Sequence, residues 1–200
     1  MKPNARAKLL DAALGTIREK GYSATSVDDL CASAGVTKGA FFHHFKSKDA
    51  LGVAAAEHWS ETTGALFADA PYHEAEDPLE RILAYIDFRK SLVRGEIAEF
   101  TCLVGTMVQE TYGASDDIRS ACWRSISGHA QTLETDIAAA IKKYHVDNVT
   151  PKSLALYTQA TIQGAFILAK AKKDPGVAID MIDHLKRYVE LLFTPHNREM

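Results

Sequence analysis

The stretch "GYSATSVDDLCASAGVTKGAFFHHFKSKDAL", residues 21–51, carries the punctuation from which the rest of the chain is read. Ser26 followed three residues later by Asp29 has the form of an N-cap with a capping box. Each side chain there can satisfy a backbone N–H that the first helical turn leaves without a partner. The pattern predicts a short helix running to about Ala34. Gly35 stands four positions after the small residue Cys31, and a second short helical segment follows, which is the spacing of a helix-turn-helix. Cys31 reads as a buried substitute for alanine, since a larger side chain would hold the two helices apart.

Helical geometry then assigns faces within "TKGAFFHHF". At about 100° per residue, Phe41 and Phe45 lie roughly 40° apart and share a core-facing side. His43 and His44 are successive, so they point about 100° apart and do not converge on one metal as histidines at i, i+4 do. No metal site and no cofactor are expected. Gly39 and Ala40 permit close approach to a partner. Thr37 and Lys38 sit at the N-terminal end of the helix, where free N–H groups and the helix dipole favour anions. Lys48, behind a predicted N-cap at Ser47, adds a cation beside further free amides.

Outward from this stretch the chain remains helical. Leu9, Ala13 and Ile17 recur at four-residue spacing, and Gly21 is expected to close that first helix in the left-handed conformation. Asp77-Pro78, Thr150-Pro151 and Asp174-Pro175 each read as a cap followed by proline at the first helical position. Ser115 reads as a further N-cap, and Pro71, Gly95 and Gly113 as stops. With no alternating strand and no Asn-Gly hairpin, the expected class is all-α with about nine helices. No internal repeat or low-complexity linker interrupts it.

Composition agrees with a globular chain. Its 200 residues are 46% hydrophobic and carry a net charge of −3. Residues 1–50 hold eight Lys/Arg against five Asp/Glu, and the remainder fifteen against twenty-one, so a basic head precedes an acidic body. The N-terminus lacks an apolar stretch ahead of a cleavage site, and no apolar run approaches the roughly 18 residues of a membrane span. A cytoplasmic protein without membrane partners is expected, associated with the nucleoid when bound to DNA. Cys31, Cys102 and Cys122 are odd in number and lack C-x-x-C spacing, which argues against a disulfide framework and against zinc.

Residues 21–51 resemble the DNA-binding domain of the TetR family of bacterial transcriptional regulators. The resemblance rests on Thr25-Ser26, Ala34-Gly35-Val36, Gly39, Phe41-Phe42, His44-Phe45, and Ser47-Lys48 followed by Leu51. It implies a homodimer of nine-helix subunits, each with a three-helix head over residues 1–48 and a six-helix ligand-binding and dimerisation body over 49–200. It further implies that Thr37, Lys38, Gly39 and His43 lie in or near the major groove of a double-stranded operator, and Ser26, His44 and Lys48 on phosphates. Phe42 stands where the family usually has tyrosine, which leaves apolar contact, as with a thymine methyl, in place of a phenolic hydrogen bond. Asp28 puts negative charge near the same surface.

In the body, Ala160 and Gly164 form a small-x-x-x-small ridge, and Ile182, Leu185, Val189 and Leu192 follow 3-4-3 spacing. Both are expected at a dimer interface made by the last two helices. Phe67, Ile86, Arg89, Cys102, Leu103, Met107, Trp123, Ile126 and Phe166 are candidate lining of an effector pocket, with Arg89 able to meet an anion in an otherwise apolar site. "TCLVGTMVQE", residues 101–110, resembles a sixth-helix pattern, Gly-Cys-Leu-x-Gly followed by Gln-Glu, of a TetR subgroup in which some members respond to electrophiles or oxidants. The expected function is a ligand-responsive repressor released from a palindromic operator by a small, largely apolar effector. A thiol enzyme using Cys102 or Cys122 with His129 or His58 is the weakest rival, because nothing in the sequence sets a thiol beside a histidine and an orienting carboxylate. A helical protein-binding dimer without DNA recognition is the other.

Overall fold

The computed structural model describes residues 4–194, and the outermost residues of the two expected domains, 1–3 and 195–200, lie outside that range. Ten α-helices follow in order: α1 Ala5–Lys20, α2 Val27–Ala34, α3 Lys38–His44, α4 Lys48–Ala68, α5 Pro78–Ser91, α6 Ile97–Phe100, α7 Leu103–Thr111, α8 Asp116–Tyr144, α9 Pro151–Lys172 and α10 Pro175–Phe193. No strand occurs among the described residues. The count exceeds nine by the single-turn α6, so the "CLVGTMVQE" segment forms the seventh helix. Pro71, expected only as a stop, opens a 3-10 turn at Pro71–Glu74.

The helix ends follow local cap chemistry. Ser26 Oγ accepts from the Asp29 N–H at 3.1 Å while Asp29 Oδ2 accepts from the Ser26 N–H at 2.9 Å, the reciprocal box expected at the start of α2. The Ser26 hydroxyl, then its N–H, then Lys20 hold the Asp29 carboxyl down at about 2. Gly35 closes α2 in the left-handed conformation at φ 62°, ψ 41°. Asp77, Thr150 and Asp174 cap the three helices that begin with proline, and Ser47 accepts from the Ala50 N–H at 3.0 Å.

The described residues form two compact units, one comprising the chain up to Phe67 together with Thr101–Ile126, the other Ala68–Phe100 with the residues from Ser127 onward. Described residues 4–48 therefore fall wholly in the first unit, along with α7 and the start of α8. Its core joins Leu9 and Ile17 of α1, Leu30 of α2, Phe41 of α3, Leu51 of α4, Leu103 and Met107 of α7, and Ile118 of α8, none more than 1% exposed. Burying such side chains supplies about 1.5–3 kcal/mol each. Cys31 lies in this core, as its small-residue position requires.

The second unit packs α10 on α9 and α5. Ion pairs Lys90–Asp183 at 2.6 Å and Lys186–Asp87 at 2.7 Å join α5 to α10, and Arg81–Asp136 at 2.8 Å joins α5 to α8. The 3-4-3 seam of α10 is occupied within this unit: Ile182, Leu185 and Val189 are buried to within 1%. These three are thus turned toward their own chain and not toward a partner, because the seam is the side of α10 that meets α9 and α5. Leu192 is half-buried and Gly164 likewise, while Ala160 is exposed. The large apolar side chains left open on these two helices are Tyr157, Ile167, Leu168, Tyr188 and Leu191.

Candidate nucleic-acid interface and buried polar centre

The short α3 presents two contrasting sides. Phe41 is fully buried and Phe45 nearly so, their rings 5.8 Å apart, which fixes the helix by its inner face. Thr37, Lys38, Gly39 and His43 are exposed, as is Ser26 at the start of α2. Phe42 is 56% exposed, a large ring that the fold itself does not use. Thr37 is the N-cap of α3 and accepts from the Ala40 N–H at 3.2 Å. The rings of His43 and His44 meet edge to face, their centroids 4.9 Å apart and their planes at 73°; His44 is half-buried. Lys38 Nζ lies 2.8 Å from Asp28 Oδ1, and both side chains are largely exposed. The Asp28 hydrogen bond and charge raise the Lys38 pKa, so the lysine keeps its charge while the carboxylate competes for it.

Lys48 has a more definite position. Its ammonium donates to Tyr22 O at 3.1 Å and Thr25 O at 3.0 Å, and it sits 4.4 Å from the centroid of the Tyr22 ring. Tyr22 OH donates to Asp49 at 2.6 Å; burial first, then that bond, push the phenol's pKa up and keep it protonated. Two backbone N–H groups of the same loop, from Tyr22 and Ser23, donate to Glu110 of α7. Spacing gave no signal for this long-range set, because its members are drawn together only by the packing of α1, α4 and α7.

The nine pocket candidates divide between the two units. Leu103 and Met107 belong to the core of the first, with Cys102 and Ile126 packed against it. Phe67 falls in the first unit and is buried, though not within that core cluster, while Trp123 is 53% exposed. Cys102 is the N-cap of α7, its sulfur accepting from the Gly105 N–H at 3.4 Å. Cys122 is fully buried, and burial, then the neighbouring Cys102, push its thiol up to about 12. His58, considered as a base, pairs instead with Asp11 at 3.0 Å.

In the second unit Ile86, Arg89 and Phe166 adjoin a polar centre that sequence reasoning did not assemble. Tyr85, fully buried, receives hydrogen bonds from Gln159 Nε2 at 3.0 Å and Arg89 Nη1 at 3.4 Å. Its oxygen lies 2.9 Å from His129 Nε2. Burial, then the Arg89 cation, lower His129 to about 3, so the imidazole is neutral; Arg89 Nη1 also lies 3.3 Å from Nε2 and can only donate, so Nε2 is the acceptor of the Tyr85 O–H hydrogen bond. Arg89 stacks over Phe166 at 5.9 Å, and Phe100 packs on the same ring at 5.8 Å. The result is a donor-rich, singly cationic group among aromatic rings. Among the described residues no helix is long and apolar enough to cross a membrane.

Comparison with known proteins matches two family models. Residues 9–55 fit bacterial regulatory proteins of the tetR family, and residues 78–182 fit the C-terminal domain of LmrA/YxaF-like transcriptional regulators. The chain is 32% identical over 117 residues to the transcriptional regulator AcuR of Cereibacter sphaeroides, a match covering 58% of this chain and about half, 53%, of AcuR. It is 24% identical over 170 residues to the HTH-type transcriptional repressor DhaR of a Mycobacterium species, covering 84% of each chain. A crystal structure of regulatory protein TetR from Rhodobacter sphaeroides superimposes with a TM-score of 0.80 at 26% identity, over 92% of this chain and 98% of that one.

Proposed function

The chain belongs to the TetR family of bacterial regulatory proteins, and from that premise we propose that it is a ligand-responsive repressor that binds a palindromic operator as a homodimer. The observation that carries the reading is α3 itself, a helix anchored by buried Phe41 and Phe45 that leaves Thr37, Lys38, Gly39, Phe42 and His43 open on its outer side. In a dimer, two such helices enter successive major grooves about 34–36 Å apart. Lys38 and His43 read base edges, Phe42 supplies apolar contact, and Ser26, His44 and Lys48 face the backbone. The similarity to DhaR, named a repressor, supports the direction of control.

The dimer face is the exposed apolar side of α9 and α10, where Ala160 and Gly164 allow close approach between Tyr157, Ile167, Leu168, Tyr188 and Leu191. The effector meets the second unit's polar centre. Arg89 and Gln159 suit a carboxylate or similar acceptor, and Ile86 and Phe166 suit an apolar body, which narrows a purely apolar ligand to one with a single polar end. A differential affinity of about 1–3 kcal/mol between DNA-competent and released states changes occupancy 5–150-fold.

Selection of genomic DNA fragments with the purified chain, followed by anisotropy titration of the enriched sequence, tests this. The expected result is an inverted repeat bound by two chains per duplex, with affinity falling steeply as salt rises. Recovery of no repeat, or binding indifferent to salt, would favour a helical protein-binding dimer instead.

A further inference from the structure

The loop between α1 and α2 has its backbone held from opposite sides by residues distant in sequence. Glu110, next to last in α7, accepts from the Tyr22 N–H through Oε1 at 3.1 Å and from the Ser23 N–H through Oε2 at 2.7 Å. Across the loop, Lys48 Nζ donates to the carbonyls of Tyr22 and Thr25. A carboxylate thus holds the donors of this loop and an ammonium its acceptors, all through charge-assisted hydrogen bonds. Three residues beyond Ser23 lies Ser26, the cap that opens the helix-turn-helix.

Gly21 records how closely α7 approaches. Its backbone, at φ 90° and ψ 160°, lies in a region that essentially only glycine enters. A Cβ built there would stand 2.6 Å from Glu110 Oε1. The left-handed cap expected at Gly21 is therefore not what forms; the glycine instead makes room for the carboxylate.

The contact is not needed to build the loop locally. The Gly21 N–H already closes α1 on Ile17 O at 2.9 Å, and α2 carries its own capping box. Ser23 is exposed, so water would satisfy its amide if Glu110 were absent. What Glu110 adds is a fixed register between the loop and α7. Earlier in α7, Leu103, Val104 and Met107 are buried to within 1%, so the helix is held in the core while its end grips the loop. Displacement of α7 then has to carry the start of α2 with it or break two charged hydrogen bonds.

We propose that Glu110 is a positioning residue for DNA recognition, a clamp through which the placement of α7 sets the placement of the helix-turn-helix and hence operator affinity. This rests on the DNA-binding reading above and adds its means of control.

The test compares full-length wild type with Glu110→Gln and Glu110→Ala in three measurements. These are amide exchange at Tyr22 and Ser23 by NMR, anisotropy on the selected inverted repeat and on a random duplex of equal length, and thermal melting. Loss of the two bonds to the carboxylate in Glu110→Ala should speed exchange at both amides and weaken the repeat about tenfold or more, while random-duplex affinity changes less than about threefold. Glu110→Gln, which keeps one acceptor oxygen, should fall between. Repeat affinity within about twofold of wild type in Glu110→Ala overturns the proposal. So does a parallel fall on both duplexes that tracks melting temperature, since that is a stability effect alone. Should Glu110→Ala fail to fold, Glu110→Gln is judged on the same criteria. If wild type itself prefers no repeat, the DNA-binding reading fails and the proposed role of Glu110 with it, whereas a wild type that prefers the repeat confines any failure to the clamp.

Discussion

The two units use polar side chains differently. In the first, they chiefly hold backbone: Asn4, Ser26, Thr37 and Ser47 accept from helix-start amides, and Glu110 and Lys48 grip the α1–α2 loop. In the second, beside such backbone bonds, a buried set and three ion pairs hold side chain to side chain, in the Tyr85–His129–Arg89–Gln159 centre and along α5. Satisfying the backbone leaves the outer side of α3 free to face a second molecule. Gathering donors in the interior makes the group sensitive to protonation. The division suits a regulator that reads DNA with one unit and a small molecule with the other.

The sharpest break of this comparison lies within two adjacent residues of the first unit. Phe41 is fully buried and Phe42 is 56% exposed. Phe41→Ala should cost about 3–5 kcal/mol by emptying the core beneath α3. Phe42→Ala should stay within about 0.5 kcal/mol of wild type while weakening binding to the selected repeat. Urea unfolding with anisotropy on each variant checks both. If Phe42→Ala destabilises as Phe41→Ala does, the clean separation of anchor from reading surface is wrong.

This division was readable in the sequence because its signals are local. The capping box at Ser26, the turn at Gly35, and the Phe41/Phe45 periodicity all operate within about four residues. The proline-started helices were legible for the same reason. Gly21 was legible only as a glycine that something required. Its conformation depends on Glu110, which reaches it from the end of α7. The Ile182–Leu185–Val189 seam was correctly a packing face, but periodicity does not state whose helix it meets, and the partner proved to be the same chain. The polar centre was missed for a related reason: Arg89 and His129 were singled out for separate roles, and while Tyr85 stands one turn before Arg89 on α5, His129 and Gln159 come from α8 and α9.

A smaller effect distinguishes the second unit by pH. His129 titrates at about 3 in the folded chain, against an ordinary value of 6.5. Below 6.5 the unfolded chain takes up a proton there that the folded chain refuses, so stability is fully present above that pH and falls as pH drops toward 3. Between pH 6.5 and 5 the loss from this one residue is about 2 kcal/mol. His129→Gln, which retains an acceptor for Tyr85, should flatten the dependence over that window in urea titrations. An unchanged slope would mean that other groups set acid sensitivity and that the imidazole is less confined than its contacts with Tyr85 and Arg89 require.

The smallest effect on stability should accompany a clear effect on recognition. Lys38 and Asp28 form an exposed pair, and exposed pairs add little to folding because water competes for both charges. Lys38→Ala should therefore leave the melting temperature in place. On DNA, a lysine that meets phosphates would lower affinity for every sequence and reduce the salt slope, whereas one that reads bases would change which repeat is preferred. Its place one residue inside α3, beside exposed Thr37 and Gly39, argues for the second outcome. Asp28→Asn then separates the carboxylate's part. Releasing Lys38 from its partner should strengthen binding to the wild-type repeat without altering its sequence. A shift in preference from Asp28→Asn instead would mean that the carboxylate reads a base itself, as an acceptor for a cytosine amino group, and that the pair, not the lysine alone, is the unit of recognition.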